Sequence, residues 1–307
     1  MRTKLNEFTK GTIDLLLLNV EEKITKTNNK YLVMTLTDGD KQICANKWNT
    51  DISAAPKAGE VLSCELEVGT FNGQPNYTVK NAKPNPNISK SEFVATAPIP
   101  AEQMYDEMID AIRDLKNADI ARITGTILKA HKEKLLYWSA AKSVHHNIIA
   151  GLLYHMYRMM KSALALTEIY PVNKDLLVAG VLLHDIGKIS ELATDELGNA
   201  TYTVDGNLYG HLYIGAEMIH DYGKHLGTNP EVIRNLKHII LSHHGKLEWD
   251  AVKVPCTIES ALVTELDMID AKMYQFEKWN NETEAGTVNA QRAFSLDGAH
   301  VYHHTLM

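Results

Sequence analysis

Cysteine is scarce in this chain: Cys44, Cys64 and Cys256 are the only three in 307 residues. They lie far apart and form no CxxC pair, which excludes a disulfide framework and a thiolate zinc site. Long apolar runs are also missing. Leu15-Leu16-Leu17-Leu18 is too short for a signal-peptide core and far too short for a membrane span. Positive charge is not in excess, since 31 basic residues face 38 acidic ones for a net charge of −7. That excludes a uniformly basic nucleic-acid binder and leaves room for a local basic face. Internal repeats and low-complexity tracts are absent. What remains is ordinary globular composition, 45% hydrophobic and 22% charged, with enough apolar material for about two domains. These features predict a reduced, soluble, cytoplasmic protein with no membrane partner.

Two grammars divide the chain. Residues 1–85 carry 11 basic and 10 acidic residues, and the rest carries 20 and 28, so the first segment repels a polyanion less. That segment reads as β. Candidate strands at Leu15–Val20, Tyr31–Thr37, Lys41–Trp48, Val61–Val68 and Asn76–Lys80 are separated by Asn, Asp and Gly turns, the pattern of a small barrel. Four of the nine prolines fall within 84–100, which predicts a linker over 86–100. From 101 the period becomes helical. Met104, Met108, Ile109, Ile112 and Leu115 open it, and helices are predicted at Ile148–Leu166, Leu176–Leu183, Leu212–Tyr222, Val232–Leu241 and Ile258–Tyr274. Asn229-Pro230-Glu231 marks a helix start. The expected fold class is multidomain α and β: a small β-barrel over 1–85, then an all-α bundle over 101–307.

The histidines carry the chemistry. There are 14, and several interrupt apolar helical faces. His184-Asp185 closes the apolar run that begins at Leu176. Asp185 buried there without a partner would cost several kcal/mol, so it needs a cation or a hydrogen-bond network. His155, His184, His211, His243 and Asp267 follow one another at intervals of 24 to 32 residues, with His244 beside His243. Such spacing brings one contribution from each of several helices to the centre of a bundle. Imidazoles and carboxylates without thiolates suit Mn²⁺, Fe²⁺, Mg²⁺ or Zn²⁺. Six or more donors point to two divalent metal ions, with Asp185 as the bridging carboxylate. Asp270, three residues after Asp267, competes for the last position.

The order His155, His184-Asp185, Asp267 resembles the HD superfamily of metal-dependent phosphohydrolases. HDIGK (184–188), YGHLYIGAEMI (209–219), LSHHGKLE (241–248) and LDMIDAKM (266–273) extend the likeness, and His211 with His243-His244 resembles its bimetallic branch. Strands followed by this domain look like the YhaM-type 3′→5′ exoribonucleases, which join an OB-fold to an HD domain. The resemblance implies that His155, His184, Asp185 and Asp267 hold one metal ion, Mn²⁺ above all. Asp185, His211, His243 and His244 hold the second, and Asp267 rather than Asp270 is the last ligand. Lys188 would stabilise charge on the phosphoryl group. His146, with His145 beside it, would contact the substrate or donate a proton. In the barrel, Trp48, Tyr31, Phe71 and Tyr77 are candidates for stacking on bases, and Lys47, Lys41 and Lys80 for tracking phosphates; aromatic core packing is the competing reading.

The implied activity is hydrolysis of single-stranded RNA from its 3′ end to nucleoside 5′-monophosphates. Single-stranded DNA as a substrate, assembly into a homo-oligomer and the role of the tail after residue 280 are left open. Two alternatives stand beside it. One is a phosphohydrolase of free or cyclic nucleotides; the other is a nucleic-acid-binding accessory factor without catalysis.

Overall fold

The structure is a computed structural model that describes every residue except 1, 2, 7, 26, 72, 73, 141–147, 196, 197 and 307, and omits the side chains of Phe71 and Gln74. The chain divides into two units, Met1–Thr96 and Ala97–Met307.

In the first unit, five strands close a barrel: β1 (Lys10–Ile24), β2 (Lys30–Thr37), β3 (Gln42–Trp48), β4 (Val61–Phe71) and β5 (Gln74–Pro84). Their order is β1-β2-β3-β5-β4, with β3 and β5 parallel and every other pair antiparallel. Alternation places Ile13, Leu15 and Leu17, then Leu32, Met34 and Leu36, then Leu62, Cys64 and Leu66, on the inside. β1 is much longer than its leucine run. Its first half pairs with β4 and its second half with β2, with a register shift between Leu17 and Asn19. Such an irregularity bends a strand enough to change partners and close a small barrel. Burial pushes the Cys64 thiol up to about 12, so it stays protonated in the core. Asp38 fastens the N-terminal segment to the β2–β3 turn. It accepts backbone hydrogen bonds from Leu5 at 2.6 Å, Asp40 at 2.9 Å and Lys41 at 2.7 Å.

The second unit is helical: α1 (Ala101–Arg113), α2 (Ala118–Ala130), α3 (Lys132–Leu135), α4 (Gly151–Leu166), α5 (Lys174–Leu183), α6 (Lys188–Glu191), α7 (Val204–His225), α8 (Pro230–Ser242) and α9 (Ile258–Glu282). Asn173, Asn229 and Thr257 cap α5, α8 and α9, Pro230 sits in the first turn of α8, and Thr257 with Ser260 forms a capping box. α5 is apolar on every side and is buried from Asp175 to Leu183, as expected of the central helix of a bundle. A short hairpin, β6 (Leu192–Thr194) and β7 (Ala200–Tyr202), interrupts the helices. Three-residue strands show no alternation to read, so the sequence predicts no strand there. α2 is likewise missing from the sequence reading. Its Ile120, Ile123, Ile127 and Leu128 are buried at helical spacing, but Thr124 and Gly125 dilute the pattern. The tail folds back: Ala293, Leu296 and Val301 pack with Trp279 of α9.

Among the described residues no helix is long and apolar enough to cross a membrane.

Candidate metal centre

Five helical segments deliver the cluster. α4 carries His155, the end of α5 supplies His184 and the following Asp185, α7 supplies His211, the end of α8 supplies His243 and His244, and α9 supplies Asp267. His155, His184, Asp185 and His243 are buried, while Asp267, His211, His244 and Lys188 are half-buried at the mouth.

A backbone conformation and a close approach set the position of His211. Gly210 has φ 71° and ψ 160°, a backbone conformation that breaks α7 and lets the chain re-enter the helix at His211. Gly187, after His184-Asp185-Ile186, lies against the backbone of that re-entry; a Cβ there would stand 2.1 Å from the His211 carbonyl oxygen.

The outward ring nitrogen of each histidine identifies its tautomer. His184 Nδ1 donates to the Val181 carbonyl at 2.9 Å, His243 Nδ1 to Ile240 at 2.9 Å and His244 Nδ1 to Trp249 at 2.8 Å. His211 Nδ1 donates to Glu191 Oε1 at 3.1 Å, and His155 Nδ1 to Asp270 Oδ2 at 2.7 Å. A carbonyl or carboxylate only accepts, so each Nδ1 holds the hydrogen and each neutral ring turns an Nε2 lone pair inward. His155 Nε2 lies 3.2 Å from His184 Nε2, 3.2 Å from Asp267 Oδ1 and 3.8 Å from Asp185 Oδ2. On the other side, Asp185 Oδ1 lies 3.4 Å from His211 Nε2 and 3.6 Å from His243 Nε2. Asp185 Oδ1 and His211 Nε2 are sealed from solvent with no hydrogen-bond partner among the described residues. At Asp185 Oδ1, where the neutral His211 and His243 rings present Nε2 lone pairs, acceptors face an acceptor, which is unfavourable unless a cation joins them.

Three groups of ligand atoms are close enough to share an ion: His155, His184 and Asp267; His184, Asp185 and His243; and His211, His243 and His244. The donor set therefore fits divalent metal binding. All seven sequence-predicted ligands come together here. Asp270 does not face the cluster. It stands behind His155, where Arg158 Nε meets its Oδ1 at 2.6 Å and the Arg158 guanidinium also pairs with Glu277. A carboxylate behind a ligating imidazole fixes its tautomer and raises its basicity. Glu191 plays the same part for His211, accepting from its backbone N–H at 3.0 Å as well as from its ring. Sequence reasoning missed Glu191 and Arg158; neither sits in a motif with a readable spacing, and only the fold brings them to the cluster.

The electrostatics agree. Burial opposes charge on Asp185, but Lys188 and His184 prevail and hold its carboxyl well below the usual carboxylate range. Lys188 Nζ lies 2.7 Å from Asp185 Oδ2; burial works against its charge, yet Asp185 keeps its pKa raised. Burial likewise opposes the carboxylate of Asp267, which its hydrogen bond to His155 lowers. His243, buried, is pushed down to about 4 and stays a neutral imidazole; burial also lowers His244. His155 goes the other way. Burial disfavours its charge, but Asp267 and Asp270 together raise it to about 9. A proton and a divalent ion at its Nε2 exclude each other, so metal binding there expels a proton.

In the barrel, Tyr31 and Trp48 are cross-strand partners with rings stacked at 4.7 Å, and Trp48 is exposed. Lys47 is half-buried on the same strand. Tyr77 is half-buried and packs on the barrel core, and Lys80 pairs with Glu67 at 3.1 Å. His146, His145 and the side chain of Phe71 lie outside the described residues.

The chain thus combines a small closed β-barrel with a helical domain that gathers histidines and aspartates around His184-Asp185, and the HD domain family model matches residues 152–272. It is an HD-domain protein. The 3′-5′ exoribonuclease YhaM of Listeria welshimeri serovar 6b is 34% identical over 99% of both chains, and that of Bacillus subtilis is 32% identical over 94% of this chain and 93% of its own. The chain belongs to the YhaM family of 3′-5′ exoribonucleases. A solved domain, the second OB-fold domain of replication protein A from Methanococcus maripaludis, is 20% identical, with a TM-score of 0.23 over 28% of this chain and 96% of that one.

Proposed function

We propose that this protein is a metal-dependent 3′→5′ exoribonuclease acting on single-stranded RNA and releasing nucleoside 5′-monophosphates. The observation that carries the chemistry is the convergence of four imidazole Nε2 atoms, those of His155, His184, His211 and His243, on Asp185 and Asp267, with His244 grouped beside His211 and His243. Direction and substrate class are supported by the near full-length YhaM relatives. His155, His184, Asp185 and Asp267 would hold one divalent ion, and Asp185, His211, His243 and His244 the second, with Mn²⁺ the first choice and Fe²⁺, Mg²⁺ and Zn²⁺ compatible with the same donors. When bound, such ions polarise phosphoryl oxygens, activate water near neutral pH and stabilise the leaving oxygen. Asp185, with one oxygen toward each group of histidines, fixes their separation. Lys188, held charged beside Asp185, places a cation where negative charge builds on the phosphoryl group. His146 would contact the substrate or give the proton to the departing 3′-oxygen.

The barrel over 1–85 would hold single-stranded nucleic acid on the Tyr31–Trp48 stack, with Lys47 beside a phosphate. The Pro-rich 86–100 would join it to the catalytic domain over 101–307.

The test uses chelator-treated protein resupplied with Mn²⁺, a 5′-labelled single-stranded RNA, a 3′-phosphate-blocked copy, and the variants Asp185→Ala and His244→Ala. The expected result is a ladder shrinking from the 3′ end, slowed by the block and abolished by Asp185→Ala. Intact RNA beside hydrolysis of free or cyclic nucleotides would overturn the reading in favour of a small-substrate phosphohydrolase.

A further inference from the structure

A second concave site lies in the helical unit. A cavity of about 510 Å³ opens between α7 and α8, within the size range of small-molecule sites. It is set on the outer faces of the two helices. Ala216 and Ile219 of α7 and Leu236, Ile239 and Ile240 of α8 turn into the core, whereas His220 and Lys224, and Arg234, Lys237 and His238, line the cavity at helical spacing.

Its chemistry is one-sided. The wall is apolar where Gly223, Pro230, Ile233 and Leu241 form it, and every ionisable residue of the lining is basic. Lys224 and Lys237 have no ion-pair partner among the described residues. Among the described residues Arg234 pairs only with Glu231, on its own helix. His238 has a defined tautomer: its Nε2 accepts from the Cys256 backbone N–H at 2.9 Å, so in the neutral ring Nδ1 carries the remaining hydrogen. Burial lowers its pKa and keeps it a neutral donor.

We propose that this cavity is a binding site for an organic phosphate of mononucleotide size, separate from the histidine cluster. Lys224, Arg234 and Lys237 would take the phosphate, His238 would supply a neutral hydrogen bond, and the Ile233–Leu241 wall would cover the apolar ring. An inorganic anion alone would leave most of 510 Å³ and the whole apolar wall unused. None of these residues belongs to the metal centre. The inference therefore stands on the cavity, not on the nuclease reading, and loss of nuclease activity would leave it intact.

The experiment is calorimetric titration of the full chain in chelator, so that no metal ion at the histidine cluster recruits phosphate. The probes are adenosine 5′-monophosphate, adenosine, inorganic phosphate and a five-nucleotide RNA. The double variant Lys224→Glu/Lys237→Glu changes one exposed and one half-buried side chain, and circular dichroism with thermal unfolding verifies its fold. The expected result is binding of the monophosphate at least about tenfold tighter than adenosine or phosphate, weakened about tenfold or more by the double variant and by added salt. Bound monophosphate should also protect Lys224 and Lys237 from an amine-modifying reagent, read by mass spectrometry. The proposal is overturned if the double variant binds the monophosphate as the parent does. It is also overturned if phosphate binds as tightly as the nucleotide, or if only the oligonucleotide binds.

Discussion

Gly187→Ala isolates the contact that positions His211. Gly187 has φ −60° and ψ −23°, which alanine adopts freely, so the substitution adds no backbone strain. Its effect is steric. The new Cβ would lie 2.1 Å from the His211 carbonyl oxygen and 2.8 Å from the Gly215 backbone nitrogen. Both are main-chain atoms that no rotamer change can clear. Relief requires the start of α6 and the His211 turn of α7 to separate by about 1 Å, and overpacking of that kind costs roughly 3 kcal/mol. For a domain of this size that lowers the melting temperature by roughly 6–12 °C. The same shift carries His211 Nε2 away from Asp185 Oδ1, now 3.4 Å distant, and a displacement of about 1 Å at a catalytic centre lowers turnover by about a hundredfold. Scanning calorimetry and Mn²⁺-dependent RNA hydrolysis measure the two effects. Gly125→Ala is the control, because its Cβ would meet nothing closer than 3.6 Å and a mid-helix alanine stabilises by about 0.5–1 kcal/mol. A Gly187→Ala chain with parental melting and turnover would refute the view that this backbone contact sets the site.

Three further outcomes follow from the geometry. Asp270→Asn removes the carboxylate behind His155, and metal titration should show affinity reduced about 10–100-fold while the ligand set stays complete. Asp38 titrates below the ordinary carboxylate range because three backbone N–H groups donate to it, although its burial works the other way. The stability it contributes is present above pH ~3.8 and disappears as pH falls through its lower folded value; urea unfolding from pH 5 downward should show that acid-side loss in the parent and a flatter profile in Asp38→Asn. Trp48→Ala should weaken single-stranded RNA binding by about 1–3 kcal/mol in fluorescence anisotropy, with circular dichroism unchanged.

The sequence determined the type of each element where periodicity was strong. Leu32, Met34 and Leu36 alternate, and the apolar run from Leu176 continues to Leu183; each pattern has one way to bury itself. It also determined the chemistry of the site, because a histidine or aspartate that ends an apolar helix must find a partner inside the bundle. Tertiary structure decided what local patterns do not encode. Asp267 and Asp270 are one helical turn apart, and only the packing of α9 against α4 turns one toward His155 Nε2 and the other toward Nδ1. Glu191, Arg158 and the approach of Gly187 to α7 come from segments with no shared spacing. The cavity between α7 and α8 is likewise a product of two outer helix faces, on which isolated basic residues read as ordinary solvated surface until packing sets them around a common space.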